Sequence, residues 1–128
     1  MVANTSNFTR FFERIGDHVV DSEGHNILEM AYEEGFMVSN VAVRLRMTVR
    51  EFEVELDRAV GMKPKNFFRQ YRAVMARRQI QEGQNLHVIA ADLGFRHYSH
   101  FSSEMKGFYG IPPLKLQKLI QARCNLLQ

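Results

Sequence analysis

The stretch Ile89-Ala90-Ala91-Asp92-Leu93-Gly94-Phe95-Arg96-His97-Tyr98-Ser99-His100-Phe101-Ser102-Ser103-Glu104-Met105-Lys106, followed by Gly110 and Pro113, decides the fold. A short helix runs over 86–93. Phe101, Met105 and Phe108 share the inward face of a longer helix over 98–108. Between them Gly94-Phe95 makes a turn, because glycine takes the left-handed conformation at little cost. Ala90, four residues before Gly94, is small enough to let the two helices approach. Gly110-Ile111-Pro112-Pro113 breaks the chain, and a closing helix follows over 114–127.

Working outward, the same plan recurs about 50 residues earlier. A short helix over 39–45 turns Val41, Ala42 and Leu45 inward and ends at Leu45-Arg46-Met47. Thr48 with Glu51 three residues on is a capping box, and it opens a helix over 49–60 with Phe52, Leu56 and Ala59 on one face. Residues 51–57 also alternate as a strand would, but the capping box and the good helix formers favour helix. Gly61 stops this helix and Pro64 starts the next, over 64–82, with Gly83 as its cap. Some 18 residues at 1.5 Å each give that helix a length of roughly 27 Å. A helix over 26–34 precedes the first copy and ends at Gly35. The 3–4 spacing of Phe8, Phe11, Phe12, Ile15 and Val19 predicts a further helix over 7–20. No β-strand is required anywhere.

Helix, tight turn and longer helix is the arrangement that sets a recognition helix in a DNA major groove. One such unit is a weak signal; two, joined by a long basic helix, are a much stronger one. The expected organisation is a linker or extra helix over 1–25, a first helix-turn-helix unit over 26–64, a connecting helix over 65–83, and a second unit with its closing helix over 84–128.

Composition bounds the rest. The 128 residues weigh 14.9 kDa, are 45% hydrophobic, and include 10 Phe, enough apolar bulk to argue against disorder over the whole chain. Neither a membrane-spanning run nor a secretory leader is apparent, and the single Cys124 fits a reducing compartment, the cytoplasm. The formal charge of +3 hides an asymmetry. Residues 1–58 hold six basic and eleven acidic groups, net −5, whereas residues 59–128 hold eleven basic and three acidic groups, net +8. Lys63, Lys65, Arg69, Arg72, Arg77 and Arg78 follow one another without an intervening acid. This suggests an anionic partner for the second half, against the plainer reading of a solvated basic face. A membrane surface fits less well, because Phe67, Phe68, Tyr71 and Met75 read as a core-facing stripe.

With these residues in hand, the chain resembles the DNA-binding domain of the AraC/XylS family of bacterial transcription regulators. The residues that carry the resemblance are Ile89-Ala90, Leu93-Gly94-Phe95, Ser99, Phe101-Ser102, Met105-Lys106, Gly110 and Pro113. Gly61, Pro64 and Phe67, then Arg72, Ala76 and Ile80, match the segment that links the family's two units. The resemblance covers about 27–120. It implies an all-α fold of about seven helices, with two homeodomain-like helix-turn-helix subdomains joined by a long central helix. It also implies two recognition helices in successive major grooves, about 34 Å apart, and activation by contact with RNA polymerase. Family members usually carry an effector-binding or receiver domain ahead of this part. The chain is then either a stand-alone regulator or the C-terminal part of a longer protein.

By position, the resemblance implies DNA contacts for Arg96, Tyr98, Ser99, Ser102, Ser103 and Lys106 in the second unit, and His97 beside them suits a phosphate contact or plain exposure. In the first unit it implies Thr48, Arg50, Glu53 and Val54, set against an ordinary polar helix face. Short hydroxyls bond base edges or phosphates, Tyr98 suits a thymine methyl or a phosphate, and Glu53 suits a cytosine amino group. Arg69 and Arg72 suit phosphate, with a structural ion pair as the alternative for Arg72. The sequence departs from the family at Ser103, where arginine is common, at Val54, where a basic or polar residue is frequent, and at Arg46, where the first turn usually has glycine. Glu51, Glu53, Glu55 and Asp57 on the first recognition helix would repel phosphates, so the second unit is expected to dominate binding. His97 and His100 lack the partners a metal site needs, and no catalytic constellation surrounds Cys124. No metal, no cofactor and no enzymatic activity are therefore expected. The alternative to a DNA-binding regulator is a protein-interaction module on a degenerate helix-turn-helix scaffold.

Overall fold

The computed structural model describes residues 11–126, which divide into two compact units at Phe68/Arg69. The first holds a hairpin of β1 (Glu13–Ile15) and β2 (His18–Val20), then α1 (Ile27–Glu33), α2 (Val38–Arg44) and α3 (Val49–Val60). Helix α4 (Pro64–Gln81) begins in the first unit and continues into the second. The second adds α5 (Leu86–Asp92), α6 (Tyr98–Tyr109) and α7 (Pro113–Leu126).

The hairpin corrects the helix expected over 7–20; residues 7–10 of that helix lie outside the described residues. Strands β1 and β2 pair antiparallel, with Glu13 opposite Val20 and Ile15 opposite His18. Gly16-Asp17 forms a two-residue loop whose first residue has φ 61°, a conformation suited to glycine and one that matches strand twist. Phe12 and Val19 are buried, while Phe11 and Ile15 face outward. A helix face would have carried all four together. The Phe12 ring meets Phe52 of α3 edge-on, with centroids 5.9 Å apart.

The helices follow local chemistry. The Asn26 side chain caps α1 by accepting from the Leu28 and Glu29 amides, and Asn85 caps α5 through the His87 and Val88 amides. Thr48 and Glu51 complete the capping box of α3. Ile27, Ala31, Leu45, Phe52, Leu56 and Phe68 form the heart of the first core; Ala76, Ile80, Ile89, Leu93, Phe101 and Met105 form that of the second. Each of these is nearly or fully excluded from water, and apolar burial of this kind stabilises by about 25 cal/mol per Å².

The turns between α2 and α3 and between α5 and α6 share a hydrogen-bond pattern. The Met47 amide donates to the Ala42 carbonyl at 2.9 Å, and the Phe95 amide to the Ala90 carbonyl at 3.0 Å. The left-handed residue is Arg46 (φ 58°) in the first turn and Gly94 (φ 87°) in the second. Arg46 thus adopts the glycine conformation without being glycine, at a cost of about 1–2 kcal/mol.

Candidate nucleic-acid interface

Helices α3 and α6 are both 12 residues long and both end on a left-handed glycine, Gly61 and Gly110. Numbered from their first residues, Phe52 and Leu56 correspond to Phe101 and Met105, which all point into their own units. The opposite faces then correspond as well. Arg50, Glu53, Val54 and Asp57 on α3 stand where Ser99, Ser102, Ser103 and Lys106 stand on α6. In each set the spacing of three, four and seven residues puts the four side chains on one face.

On α6 the face consists of exposed Ser99, Ser103 and Lys106 with half-buried Ser102. Exposed Arg96 and His97 precede the helix, and half-buried Tyr98 opens it. His97 is the N-cap residue, and its side chain makes no capping hydrogen bond. The first turn also carries no acid. This terminus therefore offers its donors and the positive end of the helix dipole outward, the arrangement that favours phosphate. The His97 and His100 rings lie edge to face, 5.5 Å apart. Tyr98 stacks on His87 of α5, and burial pushes its phenol above the ordinary value.

Beneath this face α6 is fixed to α4. Glu104, only 14% exposed, accepts from the Arg72 guanidinium at 2.7 Å and pairs with Arg69 Nε at 3.2 Å. Arg72 lies over the Phe95 ring, 4.7 Å from its centroid. Arg72 therefore forms the structural ion pair that was the alternative for it. Arg69 shares the same carboxylate but keeps about half its side chain in water. The Tyr109 hydroxyl donates to the Ala73 carbonyl at 2.7 Å, and burial raises its phenol while the Arg77 charge opposes that shift. Tyr109 takes the inward position expected of Phe108, which is 47% exposed. The fourth residue after Met105, not the third, faces the core here.

On α3 the acids have separate occupations. Glu51 bonds the Thr48 amide at 2.8 Å, so a carboxylate already occupies this N-terminus. Glu55 accepts from the Phe12 amide at 2.8 Å and from Arg58 Nε at 3.2 Å, while Arg58 also donates to the Phe12 carbonyl at 2.7 Å. Burial raises the Glu55 carboxyl, but the hydrogen bonds from Arg58 and Phe12 outweigh it and hold the group below its usual range. The two side chains clamp the start of the hairpin. Sequence reasoning missed this role, because nothing local links Glu55 to Phe12, 43 residues away. Glu53 and Asp57 remain on the outer face with exposed Thr48, Arg50 and Val54; Arg50 and Glu53 are 4.0 Å apart.

Two tight-turned helix pairs, each presenting one face of a longer second helix, are the build of a double helix-turn-helix protein. A family model described as a helix-turn-helix domain matches residues 41–119. The chain belongs to this AraC-type family, whose members are DNA-binding transcription regulators. Among curated proteins it is similar to the invasion protein InvF of Salmonella typhi and of Salmonella typhimurium, with 38% identity over 66 residues in each case. That alignment covers 51% of this chain and 31% of those relatives. Among solved structures, the C-terminal domain of the response regulator yesN from Fusobacterium nucleatum has a TM-score of 0.63 at 18% identity, covering 71% of this chain and 94% of that one. A DNA-binding transcriptional dual regulator from Escherichia coli K-12 also reaches 0.63, at 16% identity, over 75% of this chain and 89% of its own. An AraC-type regulator from Chromobacterium violaceum reaches 0.58 at 20% identity, over 73% and 91%. Among the described residues, no helix is long and apolar enough to cross a membrane.

Proposed function

We propose that the chain is a sequence-preferring double-stranded DNA-binding regulator in which the second unit supplies most of the binding. The observation that carries this reading is the outer face of α6, with Ser99, Ser102, Ser103 and Lys106 in line behind an N-terminus that no side chain caps. Cations there and along α4 supply the salt-dependent part of affinity, and the α6 hydroxyls with Tyr98 supply contacts to bases and phosphates. Helix α3 enters a neighbouring major groove as a weaker reader through Thr48, Arg50, Glu53 and Val54, opposed by its own acids. In this reading the units are the functional halves, α4 connects them, and the protein acts on DNA in the bacterial cytoplasm. Activation through contact with RNA polymerase, within a longer protein that adds a sensing domain, is its finest part. In vitro transcription with purified polymerase tests that part.

An anisotropy titration against genomic fragments at several salt concentrations tests the binding. The expected result is affinity that falls with salt while still ranking the fragments. A specific observation favours a second reading, a protein-interaction module: Glu53 and Asp57 flank Val54, which is 53% exposed, on a face that repels DNA. No DNA binding at low salt would support that alternative.

A further inference from the structure

Tyr98 is the first residue of α6, where a side chain has few helix neighbours to restrict it. Its ring is nonetheless held from two directions. Phe101, fully buried one turn later, lies 5.6 Å away at 57°. His87, from the preceding helix α5, lies 4.2 Å away and within 18° of parallel. The His87 backbone is itself fixed, because its amide donates to the Asn85 cap at 2.8 Å. The imidazole is exposed, so little core packing depends on it. The first unit has no counterpart: aligned on the left-handed turn residues His87 falls on Ser39, aligned on the helix starts Tyr98 falls on Val49, and neither carries a ring.

We propose that His87 is a positioning residue for DNA reading: its stacked imidazole holds the Tyr98 phenol in one orientation at the entry of the second recognition helix, and thereby sets preference at the base position that Tyr98 meets. This rests on the DNA-binding reading above. An unstacked Tyr98 samples several rotamers, and each contact to DNA then requires the ring to be ordered anew. An aromatic pair of this kind is worth about 2- to 10-fold in an equilibrium, and that sets the expected scale.

The experiment takes the fragment that the parent chain prefers and changes each base pair in turn. It compares the resulting preference profiles of the parent, His87→Ala, His87→Phe, Tyr98→Ala and the double alanine variant, with thermal melts as a check on folding. The expected result is that His87→Ala flattens preference by about 3- to 10-fold at the position that Tyr98→Ala also flattens, and changes little elsewhere. His87→Phe restores it, because a ring still stacks. The double variant is no flatter than Tyr98→Ala. Retained preference in His87→Ala, an even loss across all positions, failure of rescue by His87→Phe, or an unchanged profile in Tyr98→Ala each overturns the proposal while leaving the DNA reading intact. A parent chain that binds DNA with no preference, or not at all, overturns both.

Discussion

The same scaffold is filled differently in the two units. Helices α3 and α6 share length, inward residues and terminal glycine, yet Asp57 stands where Lys106 stands, and Glu53 where Ser102 stands. At the start of α3 a carboxylate bonds the cap amide, whereas the start of α6 has no side-chain cap. The first unit has turned its second helix toward holding the hairpin, through Glu55, Arg58 and Phe52. The second has left the outer face of its second helix small, polar and cationic. The two helices therefore differ in what their outward and flanking residues do, while their inner residues stay nearly constant.

The sharpest way to break this comparison is to release the clamp. Glu55→Ala removes the acceptor of the Phe12 amide and the partner of Arg58, and should cost about 1–3 kcal/mol in a denaturant melt. Hydrogen exchange should rise in the first unit and not in the second. Acid should do the same. Asp21 is buried; burial raises its carboxyl, but hydrogen bonds from the side chain and backbone of His25 and the backbone of Glu23 outweigh that and lower it. Asp21 and Glu55 thus both titrate lower in the folded chain than in the unfolded one. Their contribution is complete above the unfolded values of about 3.9 and 4.3 and is lost as pH falls through the folded values. Melts below pH 4 should show a weaker pH dependence for Glu55→Gln than for the parent.

Next in size is the contrast in binding. Lys106→Ala should weaken DNA affinity on the order of tenfold, about 1.4 kcal/mol, and reduce the salt slope by about 1. Arg50→Ala should change affinity by less than about threefold, since its partner Glu53 already offsets its charge. The reverse ranking in an anisotropy titration would sink the claim that the second unit dominates. Asp57→Lys removes the inversion between the helices and should strengthen binding and steepen the salt slope. The smallest effects belong to the turns. Gly94→Ala should cost about 1 kcal/mol, and Arg46→Gly should gain up to about 1 kcal/mol, both read from thermal melts.

The helices were legible because apolar spacing marks their faces and Thr48, Gly61 and Gly110 mark some of their ends; the Asn26 and Asn85 caps emerge only from the structure. The hairpin was not. Five apolar residues, Phe8 to Val19, fall at helical spacing, and the Gly16-Asp17 loop was not read as a turn. The left-handed Arg46 carries no mark in its own residue type, although the departure from glycine at that place pointed to it. The exposed face of α6 could be read from its periodicity. Its support could not, because Glu104 finds Arg72 across 32 residues and Tyr109 finds Ala73 across 36. Those pairings depend on tertiary packing, and spacing says nothing about them.

The turn geometry has a practical consequence. The left-handed positions Arg46 and Gly94 are 48 residues apart, but the first residues of α3 and α6 are 49 apart, so the second turn is one residue longer. A comparison at one fixed offset aligns the supports or the readers, never both. Segments 47–61 and 95–110, cut just after the left-handed residue and closed at the terminal glycine, behave as cassettes of 15 and 16 residues. Exchanging them whole would move the outer helix face between units without shifting the helix that carries it out of register with the helix beneath.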